Sequence, residues 1–194
     1  MNPAAAGAQQ VVDADLLRAC QRGDRHAFRV LFEAYRDRVY SIALHFTGDS
    51  AVAADVTQDV FVKLFHAIGK FRFDSDFGTW LYRLVANVCM DEHRRRRRWL
   101  PLEDVFMSPS RSQEKAAMRS EMSGAVQAAV ARLAPRLRLP ILLRYVEGLS
   151  YDQIAGALGC SKGTVASRLN RAHKILARRL SYLRNQVPAE GEHV

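Results

Sequence analysis

Between Pro3 and Pro101 the chain has no proline, and it carries no alternating β-branched run, so long helices are expected and strands are not. Only three cysteines occur, Cys20, Cys89 and Cys160, about seventy positions apart. That spacing gives neither a disulfide framework nor a C-x-x-C metal or redox pair, and cysteines on helices read as buried structural thiols. The six histidines are scattered. No P-loop, H-E-x-x-H or G-x-S-x-G signature appears. The stretch Gly159 to Thr164 is phosphate-loop-like in composition but lacks the spacing. No enzyme, metal or cofactor is therefore expected. No run of about 18 apolar residues is present, and the first ten residues lack the basic start and apolar middle of a secretion signal. The expectation is a soluble, cytoplasmic protein with no membrane insertion of its own.

What the chain does have is charge, unevenly placed. Its 194 residues carry 29 Lys+Arg against 20 Asp+Glu, a formal net charge of +9. From Asp13 to Glu92, ten basic residues face twelve acidic ones. Arg94 to Arg98 then adds five arginines in a row. From Arg132 to Arg184, eleven basic residues face only Glu147 and Asp152. A basic C-terminal part of this kind is the electrostatic footprint of a polyanion binder.

Apolar spacing supplies the elements. Phe28, Leu31, Phe32, Tyr35, Val39, Ile42 and Phe46 recur at helical intervals between Gly23 and Gly48, with Asp24 as N-cap. A second long helix follows Asp49 and is expected to bury Val52, Val56, Val60, Leu64, Phe65 and Ile68. A third is expected to start with Thr79 as its cap and to bury Leu81, Leu84, Val85 and Val88. Ser112 to Leu133 reads as helical. Pro135 and Pro140 read as a boundary before a short helix containing Ile141, Leu142, Tyr145 and Val146 and closed by Gly148. The fold class is all-α, with two small helical domains joined by a flexible linker. The boundaries are a disordered N-terminus 1–12, a helical bundle 13–98, a linker 99–112, a helix-turn-helix domain 113–184 and a disordered tail 185–194.

The segment Leu149 to Leu180 is the most specific signal. Ser150 can cap a helix burying Ile154, Ala155 and Leu158. Gly159 can make the tight turn, and Ser161 can cap a second helix burying Val165, Leu169 and Ala172. The outward residues of that second helix, Ser161, Lys162, Thr164, Ser167, Arg168, Asn170, Arg171 and Lys174, are donors suited to base edges and phosphates of a major groove.

Three other faces allow two readings each. Asp55, Gln58, Asp59, Val62, Lys63 and His66 form one stripe. Its acidic start is either favourable helix-dipole placement or a contact face for another protein. Arg83, Asn87, Met90, Asp91 and Arg94 share a face of the third helix, where the Asn87 amide could read a base. Phe71 to Trp80 holds four aromatics in ten residues. They either anchor a loop to the core, the commoner case, or offer platforms for unstacked bases.

Three motifs, Asp55-Val-Thr-Gln-Asp-Val-Phe61, Phe77-Gly-Thr-Trp-Leu-Tyr-Arg-Leu-Val-Ala-Asn87 and Gly148-Leu-Ser-Tyr-Asp-Gln-Ile-Ala155 with Gly163-Thr-Val-Ala-Ser-Arg168, occur in order. In sequence and spacing the chain resembles the extracytoplasmic-function sigma factors of bacterial RNA polymerase from about Asp13 to Leu180. The resemblance implies a non-enzymatic initiation factor that brings core polymerase to promoters and helps melt them. It implies that Asp55, Gln58, Asp59, Val62 and Lys63 pack on the clamp of the largest polymerase subunit. Phe73, Asp74, Ser75, Phe77, Trp80, Arg83, Asn87, Asp91, Arg94 and Arg95 would handle the −10 element. Arg144, Tyr151, Ser161, Lys162, Thr164, Ser167, Arg168, Asn170, Arg171 and Lys174 would handle the −35 element. Further implied partners are the polymerase flap and an anti-sigma factor, which could hold the protein at a membrane. Ala166 and Asn170 depart from the basic and large residues common at their positions, so the resemblance names a class and not a promoter. The competing reading is a helix-turn-helix regulator whose N-terminal domain senses a ligand or dimerises, with a two-fold symmetric operator.

Overall fold

The computed structural model describes residues 12–99 and 119–181. The terminus, linker and tail expected from sequence fall mostly or wholly outside the described residues. Among those described there is no strand, and the element order is α1 (Ala14–Gln21), α2 (Arg25–Thr47), α3 (Ser50–Ala67), a 3-10 turn (Ile68–Lys70), α4 (Phe77–Trp99), α5 (Arg119–Ala131), α6 (Pro135–Tyr145), α7 (Tyr151–Leu158) and α8 (Lys162–Arg179).

Carboxylates start every helix of the first unit. Asp13 accepts from the Leu16 N–H at 2.7 Å, Asp24 from His26 and Ala27, and Asp49 from Ala51 and Val52. Each side chain satisfies an orphan donor and places negative charge at the positive end of the helix. The start of α4 differs from expectation. The cap is Asp76, whose Oδ2 accepts from the Thr79 N–H at 2.9 Å and from the Thr79 hydroxyl at 3.3 Å. Thr79 therefore lies inside the helix, because the carboxylate three residues earlier is the stronger acceptor.

The helices α2, α3 and α4 pack around Leu31, Ile42, Val56, Val60, Leu64, Leu81 and Val85, all at most 1% exposed. Phe65 departs from the expected buried set. It is 51% exposed, with its ring edge-on to Phe28 at 5.1 Å. Cys20 and Cys89 are buried. Burial raises both thiols, Cys89 to about 12, which matches inert packing residues and not reactive thiolates.

In the second unit α6, α7 and α8 enclose Leu143, Ile154, Val165, Leu169 and Ala172. Pro140 is a correction: it lies inside α6, where Pro135 takes the first turn, and not at a boundary. Its missing N–H leaves the Arg136 carbonyl without a helical donor, and the Pro140 ring is itself buried. Tyr145 and Val146 are likewise outward, at 63% and 39% exposure.

The two units are packed together, which periodicity did not indicate. The α4 helix lies on α7, and α2 on α5 and α6. The buried Tyr82 of α4 donates its hydroxyl proton to Glu147, just after α6. Arg138 of α6 bridges helix ends of both units, donating to the carbonyls of Phe46, Ala131 and Leu133 while its guanidinium lies 5.3 Å from the Phe46 ring centre. Carbonyls at helix C-termini are partially negative, so they hold this cation without a carboxylate. Burial lowers its pKa to about 10. The crossing of α4 and α7 is close at Gly156, where an added Cβ would stand 3.0 Å from the Thr79 methyl.

Candidate nucleic-acid interface

The helix-turn-helix forms as its sequence directs. Ser150 makes a full capping box with Gln153, and Gly159 ends α7 in the left-handed region at φ 61°. Ser161 caps α8 by accepting from the Thr164 N–H at 3.1 Å. With Val165, Leu169 and Ala172 buried, the opposite side of α8 is turned outward: Lys162, Ser167, Asn170, Arg171 and Lys174 are exposed. Not every predicted donor there is free. Ser161 and Thr164 hydrogen-bond each other at 2.9 Å, and the Ser167 hydroxyl donates back to the Thr164 carbonyl. Arg168 is half-buried, its guanidinium 3.8 Å from the Cys160 sulfur. Lys162 meets Asp152 at 2.8 Å, a surface pair weak enough for a phosphate to replace. Arg144 donates to the Leu149 carbonyl at 2.8 Å and lies 5.6 Å from the Tyr151 ring centre. It braces the entry to α7.

A second donor face runs along α4. Arg83, Asn87, Asp91 and Arg94 are exposed on it, opposite the buried Leu81, Val85 and Val88, while Arg95 is exposed to one side of that face, nearer Glu92. Two acids thin its charge. Asp91 pairs with Arg94 at 3.1 Å and with Lys63 of α3 at 3.6 Å. The buried Glu92 holds Arg95 at 2.6 Å and Arg96 at 2.9 Å, and Arg96 also reaches Asp49 at 3.9 Å. The five-arginine run is thus partly committed to tying α4 to its neighbours. Sequence periodicity marked Asp91 and Arg94 but not the role of Glu92; its i, i+3 and i+4 spacing to Arg95 and Arg96 was the available signal.

The aromatic loop divides between the two readings. Phe71 and Phe77 are buried and anchor the loop, with Trp80 half-buried against both at 5.3 and 5.9 Å. Phe77, expected from the sequence at the site, is buried beneath the loop, against Phe71 and Trp80. Phe73 is 40% exposed and sits at φ 61°, the one non-glycine residue with positive φ among those described. Asp74 and Ser75, which follow it, are exposed.

On α3, Asp55, Gln58, Asp59, Val62, Lys63 and His66 are exposed on one continuous face, with Val62 at 50% and Phe65 beside it. An acidic stripe with apolar residues at its end is suited to a protein partner and not to DNA. Among the described residues no His/Cys/Asp/Glu cluster could hold a metal, and no helix is long and apolar enough to cross a membrane.

Residues 31–99 match sigma-70 region 2, and residues 123–176 match sigma-70 region 4. The RNA polymerase sigma-H factor of Pseudomonas aeruginosa is 35% identical over 186 residues, 90% of this chain and 96% of the relative. The ECF RNA polymerase sigma factor SigM of Mycobacterium tuberculosis is 36% identical over 183 residues, 93% and 91% respectively. Among solved structures, CnrH in complex with the cytosolic domain of CnrY shares 26% identity at a TM-score of 0.68, covering 88% of this chain and 98% of that one. The sigma factor RpoE of Bartonella quintana, solved with the anti-sigma factor NepR, shares 25% at 0.67, covering 79% and 96%.

Proposed function

The chain belongs to the extracytoplasmic-function RNA polymerase sigma factors, and we propose how it divides their work between its two helical units. Residues 13–98 bind the polymerase clamp through the exposed stripe of α3 and bind the −10 element through α4 and the loop before it. Residues 113–184 bind the −35 element through α8. The observation that supports this division is the presence of two donor-rich faces on separate units, each opposite a packed core, with an acidic and apolar face on a third surface.

No bond is made or broken by such a protein; its residues bind, orient and trap. Lys162, Asn170, Arg171 and Lys174 reach base edges and phosphates of a major groove, and Arg144 and Tyr151 position the unit on the backbone. Asn87, with two donors and an acceptor on its amide, reads a base beside α4, while Phe73 receives one that has left the stack. Unstacking costs a few kcal/mol per step, and contacts to the extruded base offset it. Two modest readers joined in one chain discriminate far better than either alone once polymerase holds them at the promoter's spacing.

The packed arrangement bears on this. Arg83 of the −10 face stands beside the turn of the helix-turn-helix, its Nη2 3.3 Å from where a Cβ on Gly159 would lie. The two units must part before both promoter elements can be engaged. An anti-sigma factor is the natural partner for the packed state, since both solved relatives named above were captured with a partner protein, one of them an anti-sigma factor by name. The site of action is the cytoplasm, where polymerase and promoters are.

The division is tested with Asn87→Ala and Arg171→Ala in reconstituted transcription. Asn87→Ala is expected to relax base preference in the −10 element and Arg171→Ala in the −35 element, each with core binding unchanged. Loss of core binding by either variant contradicts the division.

A further inference from the structure

Helix α1 precedes the segment that matches sigma-70 region 2, yet it makes the closest polar contacts to the loop that presents Phe73. Leu17 and Cys20 point into the core, and the next face of the helix carries Arg18 and Gln21, one turn apart. The Gln21 amide donates to the Ile68 carbonyl at 3.1 Å and to the Phe71 carbonyl at 2.7 Å. Those two carbonyls bracket the 3-10 turn, which Phe71 closes with its own N–H to Ile68 at 3.0 Å. Both amide hydrogens of one side chain are thus spent on fixing where the loop leaves the turn.

At that fixed point Phe71 is the hub of a cluster of tilted and edge-on aromatic contacts. The ring of Phe71 meets Phe73 at 4.9 Å, Phe77 at 5.5 Å and Trp80 at 5.3 Å. The guanidinium carbon of Arg18 lies 5.6 Å from the Phe73 ring centre, within cation–π range. Arg18 is itself steadied by Asp15 at 3.6 Å. A bulky residue at φ 61° holds that backbone only when its surroundings over-determine it. Phe71 below, Arg18 beside and Gln21 at the hinge are those surroundings.

We infer that α1 is a positioning element of the base-capturing device, with Gln21 setting the loop and Arg18 flanking Phe73 to receive an extruded nucleobase and its phosphate. The inference rests on reading 71–77 as the capture loop. Arg18 brings a charge and planar donors to the place where a base would stack, so it contributes to base choice as well as to loop geometry.

Full-length Gln21→Glu, Arg18→Ala, Arg18→Lys and Phe73→Ala are each assembled with core polymerase. Open-complex formation is then followed on promoters carrying every base, and 2-aminopurine, at each non-template −10 position. Gln21→Glu keeps the size but removes both donors. The expected result is that Gln21→Glu and Arg18→Ala lose base preference at the same single position as Phe73→Ala, by roughly tenfold, the order of one base–aromatic stack. Arg18→Lys recovers part of it. Core affinity and −35 preference stay unchanged in all the variants. The thermal midpoint stays unchanged in the exposed Arg18 variants, while Gln21→Glu lowers it modestly because two hydrogen bonds to the Ile68 and Phe71 carbonyls are lost. A Phe73→Ala defect that neither α1 variant shares overturns the inference. So does a uniform loss across all −10 positions accompanied by a lowered thermal midpoint, which assigns α1 to stability alone. No effect of Phe73→Ala itself removes the capture-loop reading beneath it, and the inference with it.

Discussion

Gly156→Val is the sharpest test of the packed arrangement. The Cβ it adds would stand 3.0 Å from the Thr79 methyl across the crossing of α7 and α4, about 0.5–1 Å inside ordinary carbon contact. Relief requires the helices to separate, since Thr79 is held in the first turn of α4 by Asp76. Overpacking of this kind costs about 1–3 kcal/mol. The clash exists only when the units are packed, whereas valine's slightly better helix propensity, a few tenths of a kcal/mol, acts on α7 in either arrangement. The equilibrium between packed and parted units therefore moves toward parting by roughly 5- to 150-fold, from the same free-energy difference. Gly124→Val is the control, because a Cβ there meets nothing within 4 Å. Small-angle X-ray scattering reads the result as a larger radius of gyration for Gly156→Val than for the parent or control. Binding to core polymerase should tighten in step, since the competent state becomes the populated one. An unchanged radius together with unchanged core affinity would mean that the α4–α7 crossing does not hold the units together.

Other consequences follow from the same contacts. Burial raises the Glu147 carboxyl above its ordinary 4.5 despite the Tyr82 hydrogen bond. The packed state therefore binds the extra proton: packing is strongest below about 4.5 and weakens as pH rises through the raised value. His93 of α4 works in the opposite sense, since burial and the guanidinium groups of Arg138 and Arg97 hold it below its ordinary 6.5. The Glu147 contribution is therefore read as a difference: in scattering from about pH 4.5 to 8 the parent should gain more separation than Glu147→Gln. Ser161→Ala removes the α8 cap and should lower stability by about 1 kcal/mol in thermal denaturation, with a loss of −35 binding that recovers at low temperature. Leu143→Ala, at a site 1% exposed, should cost about 2–5 kcal/mol in denaturant titration. Removing Lys174 should weaken promoter binding by the holoenzyme about equally across −35 sequences and lower the salt slope by about 1.

Much of this was legible in the chain. The αL glycine at Gly159 and the caps Ser150 and Ser161 fixed the helix-turn-helix because turn chemistry is local: each residue meets partners within four positions. The cap of α4 differs from the expected Thr79 for an equally local reason, since Thr79 and Asp76 compete and the carboxylate wins. Pro140 shows that burial can carry a proline inside a helix, which local rules disfavour. What periodicity could not reveal is which apolar or polar group meets the other unit. Tyr82 and Arg138 sit in ordinary helical positions, and their partners Glu147 and Phe46 are 65 and 92 residues away. The candidate site divides similarly. The outward faces of α3, α4 and α8 follow from spacing, but the separation of Phe73 from the buried Phe77 depends on a backbone turn that composition does not encode.

The most direct measurement is transcription by bacterial core polymerase from a randomised promoter pool, with and without the full-length protein. The expectation is a set of protein-dependent transcripts that share two upstream elements at fixed spacing, the nearer one altered by Asn87→Ala and the farther one by Arg171→Ala. Absence of such transcripts, with the protein alone selecting a palindromic duplex, would contradict it and favour a conventional helix-turn-helix regulator.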